Sequence, residues 1–171
     1  MRISKSILAF SIVLTTAFHY PTLYGQQALI PKPLSITTHE GSYTINKNTK
    51  IFSAKEANKT TSILAAVLRK STGYKLPIVE PDNTKEGIHI VLTNKIDSLG
   101  QEGYKLEVTN KKITISAYNT AGIFNGSQTL RQLLPPQIES DLIVKNKTWE
   151  IPAISIVDKP RYDWRGYMQD V

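Results

Sequence analysis

The chain has 171 residues, a formal net charge of +7, 40% hydrophobic residues and no cysteine. The lack of cysteine excludes disulfides, thiol catalysis and thiolate metal sites, so stability has to come from an apolar core. The bases are scattered, with Arg69-Lys70 and Lys111-Lys112 as adjacent pairs; without the one-sided basic footprint of a nucleic-acid face, no nucleic-acid partner is expected.

Met1-Arg-Ile-Ser-Lys5 is a basic start, and Ile7 to Phe18 is an apolar run. Ala17 or Gly25 supplies the small residue of a cleavage site, so residues 1–25 read as a secretory signal, with an uncleaved anchor as the alternative. The run is shorter than the roughly 20 residues a spanning helix needs, so no stable span is expected once the signal is removed. The expected location is outside the cytoplasm, periplasmic or secreted.

Leu29-Ile-Pro-Lys-Pro33 is extended, because each proline disfavours helix before it. Tyr43 to Ile45 and Lys50 to Phe52 read as short strands around the polar turn Asn46-Lys-Asn48. Ala54 to Ser71 reads as a helix, with Ser53 and Glu56 forming a capping box. Ile63, Leu64, Val67 and Leu68 make its apolar stripe, Arg69 and Lys70 suit its last turn, and Gly73 suits a left-handed stop. Leu76 to Val79 is a strand in which Pro77 argues against a central place. Gly87 to Leu92 is nearly all apolar, which predicts burial on both faces and a central position. Tyr104 to Val108 and Ile113 to Ala117 alternate across the turn Thr109 to Lys112 and predict a hairpin.

Thr120 to Leu134 is the second helix, capped by Asn119 or Thr120 and stopped by Pro135-Pro136. Ile123, Phe124, Ser127, Leu130, Leu133 and Leu134 line one face, while Gly122 and Gly126 allow close approach to a sheet. Trp149 to Ile156 is strand-like. A proline-containing linker and a new strand-like run come next, up to Val171. The sum is an α+β fold with a mixed sheet.

Residues 26–150 advertise no chemistry by themselves. Glu80 and Asp82 flank Pro81, and Glu139 and Asp141 follow a helix; both pairs read as solvated loop charges. His39 falls in a polar turn region, and His89 reads as a satisfied histidine within a strand. No metal-ligand spacing occurs, so no metal and no cofactor are expected.

Two segments carry more. Ala121-Gly-Ile-Phe-Asn-Gly-Ser-Gln-Thr-Leu-Arg-Gln-Leu-Leu134 resembles the signature helix of the non-catalytic front domain of glycoside hydrolase family 20, the β-N-acetylhexosaminidases. Ile151-Pro-Ala-Ile-Ser-Ile-Val-Asp-Lys-Pro-Arg-Tyr-Asp-Trp-Arg-Gly-Tyr-Met-Gln-Asp170 is similar to the stretch that leads into that family's catalytic barrel. Leu29 to Pro33 resembles the start of the front domain.

The resemblance implies a front domain over residues 26–150, with two helices on one face of a mixed sheet. It also implies a linker and the first strand of an incomplete (β/α)₈ barrel over residues 151–171, with the active site at the C-terminal ends of the barrel strands. The implied reaction releases terminal β-linked N-acetylglucosamine or N-acetylgalactosamine with retention, the substrate's acetamido oxygen being the nucleophile. The family's adjacent Asp-Glu pair is absent here, so no catalytic residue is assigned and the 171-residue chain is expected to be inert alone. Arg165, in Trp164-Arg-Gly166, matches the family arginine that binds sugar hydroxyls, a task that suits a guanidinium's fixed fork of donors. Asp170 matches a strand-end aspartate that supports the active site, and Arg161 is expected to anchor the linker. Asn125 stands where the family has tyrosine, Gln169 where it has an apolar residue, and the Arg-His that comes after the aspartate in the family is not present.

The implied partners are amino-sugar glycans, bound by the barrel, and the chain's own catalytic domain. The competing expectation is a stand-alone carbohydrate-binding or interaction module. Such a module would need exposed aromatics for sugar stacking, with Tyr43, Tyr74, Tyr104, Tyr118 and Trp149 as candidates.

Overall fold

The computed structural model describes residues 29–162, 164–166 and 168. The leader over residues 1–25 and Asp170 lie outside the described residues.

Among the described residues, seven strands form one mixed sheet: β1 (Ser35–Ile45), β2 (Ile51–Ser53), β3 (Ile78–Val79), β4 (Gly87–Leu92), β5 (Tyr104–Val108), β6 (Lys112–Ala117) and β7 (Trp149–Asp158). Their spatial order is β1-β7-β5-β6-β4-β2-β3. The β6-β4-β2-β3 side is parallel, while β5 runs antiparallel to both of its neighbours and β1 antiparallel to β7. Helices α1 (Asn58–Thr72) and α2 (Thr120–Leu133) pack against each other and against the strands. The other sheet face is mostly polar from β1 to β6, while at β2 and β4 it carries Phe52 and His89, stacked and buried. Lys105 pairs with Glu107 at 3.7 Å, His39 Nε2 lies 2.9 Å from Ser155 Oγ, and Thr114 and Ser116 are half-buried. One covered and one solvated face is the usual state of a sheet with antiparallel pairs.

The 104–108/113–117 hairpin forms as its alternation requires, with Tyr104, Leu106, Val108, Ile113, Ile115 and Ala117 all buried. β4 is central and β3 is an edge strand, as their compositions imply. β1 and β2 do not form a hairpin across the turn at residues 46–48; they lie in different halves of the sheet. β1 pairs instead with β7, more than 100 residues away, with an irregularity between Thr38 and Ser42.

Helix α1 begins later than its sequence implies. A 3₁₀ turn spans Lys55–Ala57, Ala57 is the N-cap, and no side chain caps the helix. Ser53 cannot close a capping box because it is buried in β2, with its hydroxyl 2.9 Å from Thr61 Oγ1. The helix is rotated so that Thr61, Leu64, Ala65 and Leu68 are buried and Ile63 is 47% exposed. The C-terminus ends on Gly73 at φ 71°, a left-handed conformation natural to glycine, with its N–H donating to Arg69 O at 2.9 Å. α2 is capped by Asn119, whose Oδ1 accepts from Ala121 N at 2.9 Å. Phe124 departs from the expected face and is 42% exposed.

The front unit also runs further than residue 150. β7 continues to Asp158, with Ile151, Ala153, Ile154 and Ile156 buried. Pro152 sits opposite Ser42, beside the β1 irregularity, in a stretch of β7 that pairs with β1 alone. A proline without an N–H is tolerated at such a place, so it does not mark a linker here. Beyond Asp158 the described residues form no strand.

Candidate functional site

The residues that carry the family resemblance meet at one corner of the sheet, where the leading segment, α2 and the chain leaving β7 enclose a cavity of about 510 Å³. Gln132 of α2 holds the leading segment at its far end. Its Oε1 accepts from Ile30 N at 3.0 Å and its Nε2 donates to Ile30 O at 3.0 Å. One turn back, Thr129 Oγ1 lies 2.5 Å from the Tyr104 hydroxyl. Tyr104 faces Asp158 across the β5–β7 ladder and donates to its Oδ2 at 3.5 Å. Burial, opposed by the Thr129 contact and aided by the nearby Asp158 carboxylate, pushes the Tyr104 phenol up to about 12. Asn125 Nδ2 donates to Glu102 O at 3.0 Å.

Arg165 reaches this corner and forms an ion pair with Glu102 through Nη2 and Oε2. Both side chains are part exposed, so the pair is a weak tether. Arg161 and Tyr162 also line the cavity. The structure therefore brings Arg165 to the front unit's own surface, and the Asp170 expectation falls on a residue outside the described set.

The other chemistry-bearing residues are spoken for locally. Asp82 Oδ1 accepts from Thr84 Oγ1 at 2.6 Å and Thr84 N at 3.0 Å, which holds its carboxyl below the usual range. Lys70 does the same for Asp141, and Glu139 pairs with Arg131. His89 is buried, stacks on Phe52 with ring centroids 4.7 Å apart, and donates from Nε2 to Lys85 O at 3.0 Å. Burial pushes its imidazole below the ordinary value. Among the described residues, no group of three or more His, Asp or Glu could hold a metal ion. None of their helices is long and apolar enough to cross a membrane. Of the five aromatics considered for sugar stacking, Tyr43, Tyr104 and Trp149 are buried in the core and Tyr74 is half-buried; Tyr118 is 38% exposed.

The polar residues of α2 thus serve the fold: one capping side chain precedes the helix, and Asn125, Thr129 and Gln132 tie it to Glu102 just before β5, to Tyr104 in β5 and to the leading segment. That assignment could not be read from sequence, because Tyr104, Asp158 and Ile30 are remote in the chain and no local signal links them to the helix.

Comparison with known proteins gives the family. Residues 26–159 match the family described as Glycosyl hydrolase family 20, domain 2. The chain belongs to glycosyl hydrolase family 20. Among curated relatives, the beta-hexosaminidase of Porphyromonas gingivalis is 32% identical over 145 residues, covering 84% of this chain and 18% of that protein. The solved GH20 beta-N-acetylhexosaminidase of Streptomyces coelicolor A3(2) superposes with a TM-score of 0.75 at 37% identity, covering 81% of this chain and 28% of that one. The Streptomyces plicatus N-acetyl-beta-hexosaminidase gives a TM-score of 0.73 at 37% identity, with coverage of 81% and 27%. The chain therefore spans less than a third of the length of each of these three relatives. The family match ends at residue 159, one residue past β7, which agrees with a front unit that closes at Asp158.

Proposed function

We propose that these residues form the leading part of an exported β-N-acetylhexosaminidase that removes terminal N-acetylglucosamine or N-acetylgalactosamine with retention, using the substrate's acetamido oxygen as nucleophile. The observation that carries the reading is the family match over residues 26–159, joined to the resemblance of Trp164-Arg-Gly166 to the family's sugar-binding segment. In this reading Arg165 grips sugar hydroxyls from the first barrel strand and Asp170 supports the active site. The basic and apolar leader directs export.

The sheet unit serves as a scaffold on which the catalytic unit docks. The outward helix surface, with Ile63 and Phe124 part exposed, supports that role. The acid and the acetamide-orienting carboxylate belong to a part of the enzyme beyond these residues, and the 171-residue chain alone is inert.

The test has two arms. The purified chain is assayed for release of p-nitrophenol from its N-acetyl-β-glucosaminide. Separately, residues 26–159 replace the matching segment of the Porphyromonas gingivalis enzyme. No turnover by the chain and retained turnover by the chimaera are expected. Turnover by the chain alone would place the chemistry within it. A folded but dead chimaera would remove the scaffold role.

A further inference from the structure

The β1–β7 ladder ends in an unusual way. Its last backbone pair is Ser35 with Val157. One step further out, the Leu34 N–H donates to the side chain of Asp158, at 3.2 Å from Oδ1. The other carboxylate oxygen accepts from Tyr104, whose hydroxyl is held by Thr129. One carboxylate thus joins four parts of the molecule: the leading segment, β5, β7 and, through Tyr104 and Thr129, helix α2. It is also the last residue of β7, and Pro160 stands two residues later. Proline fixes its own φ and restricts Lys159 before it to extended geometry, so a direction set at Asp158 is carried onward rather than lost in a loose turn. With its pKa raised to about 12, the Tyr104 phenol stays protonated at ordinary pH.

We propose that Asp158 is the joint of this unit: a positioning residue whose carboxylate ties the incoming chain at Leu34 to the outgoing chain and so fixes the direction in which the polypeptide leaves β7. The inference needs only the front unit's geometry and does not depend on the proposed activity. It assigns the aspartate of Ile156-Val-Asp-Lys-Pro160 a mechanical task that its sequence context alone does not reveal. The Arg165–Glu102 pair is a second, solvent-screened tether further along.

The experiment uses the 171-residue chain with Asp158→Ala, Asp158→Asn and Glu102→Ala. Hydrogen exchange is measured at the Leu34 amide and at the core amides of Leu106 and Ile115, and tryptic cleavage is measured after Arg161. (Lys159 precedes proline and resists trypsin.) Cleavage of a transiently open segment tracks its open population, and loss of one hydrogen bond to a charged group raises that population about tenfold. Asp158→Ala is therefore expected to speed Leu34 exchange and Arg161 cleavage by about that factor, with the core amides unchanged. Asp158→Asn keeps a neutral acceptor oxygen and should recover part of both. Glu102→Ala should leave Leu34 untouched.

Wild-type rates in Asp158→Ala would overturn the proposal. So would an Asp158→Asn variant as loose as the alanine, since the effect would then belong to charge alone, or loosening by Glu102→Ala only. Should Asp158→Ala fail to fold, Leu34→Pro deletes the same bond from the donor side. It must then speed Arg161 cleavage by the same factor, or the idea fails.

Discussion

Gly122 and Gly126 lie where α2 presses on the sheet. A Cβ at Gly122 would stand 2.2 Å from Gly103 O and 2.7 Å from Ala117 Cβ; at Gly126 it would stand 2.6 Å from Ile115 Cγ2. Helix propensity alone favours alanine by about 1 kcal/mol, whereas overpacking a closed contact costs about 1–3 kcal/mol. The steric cost wins, because a backbone carbonyl and a strand residue cannot swing away. Gly122→Ala should therefore lower the melting temperature despite its better propensity, and should do so more than Gly126→Ala, which meets side-chain atoms alone.

A second prediction at this scale concerns His89. Burial lowers its pKa most, with Lys112 adding to the effect and Lys85 O and Asp82 opposing it. The fold thus prefers the neutral ring. Above the ordinary histidine value neither state carries a proton there and nothing is lost. As pH falls from about 7 to 5, the unfolded chain gains a proton that the folded chain resists, so stability declines. His89→Gln keeps a donor for Lys85 O and removes the titration, so its melting temperature should fall less over the same pH range.

Among the elements, the two helix starts make a contrast that thermal melting can check. Asn119 caps α2 through Ala121 N, and Asn119→Ala should cost about 1 kcal/mol. Glu56, which sequence spacing places in a capping box, is exposed and caps nothing, so Glu56→Ala should stay within about 0.5 kcal/mol of the parent. The difference also marks what the sequence makes legible. Signals that act within a few residues came through: the 104–117 hairpin, the stop at Gly73, the cap at Asn119 (one of the two residues the spacing offered) and the apolar run of β4. Ser53 misled because its hydroxyl spends itself on Thr61 across a strand–helix contact. Phe124 and Ile63 misled because helical spacing gives a stripe's period but not its rotation, which tertiary packing sets. The candidate site was legible only as motif. Arg165 could be named from Trp164-Arg-Gly166, but its contact with Glu102, and the Tyr104–Asp158–Leu34 connection, join residues that share no local pattern.

At the scale of the whole molecule, the decisive feature is where β7 sits. Pro152 invites a boundary near residue 150, yet the strand it belongs to lies between β1 and β5. Without residues 149–158, β1 loses its neighbour, β5 becomes an open edge, and Trp149, Ile151, Ile154 and Ile156 leave the core. Each buried large apolar side chain is worth about 1.5–3 kcal/mol or more, and a whole domain is stable by only about 5–15 kcal/mol. Losing four such residues removes most or all of that margin. A chain of residues 26–148 should therefore show no cooperative melt and should associate through its exposed strand edges, whereas residues 26–160 should melt in one transition. Circular dichroism on the pair decides it: a cooperative transition in the shorter chain would mean that β7 is an appendage. If the expected result holds, the strand of this sheet that comes last in chain order is the one that completes it. The chain must then have passed Asp158 before the unit can fold and set the direction in which the polypeptide leaves it.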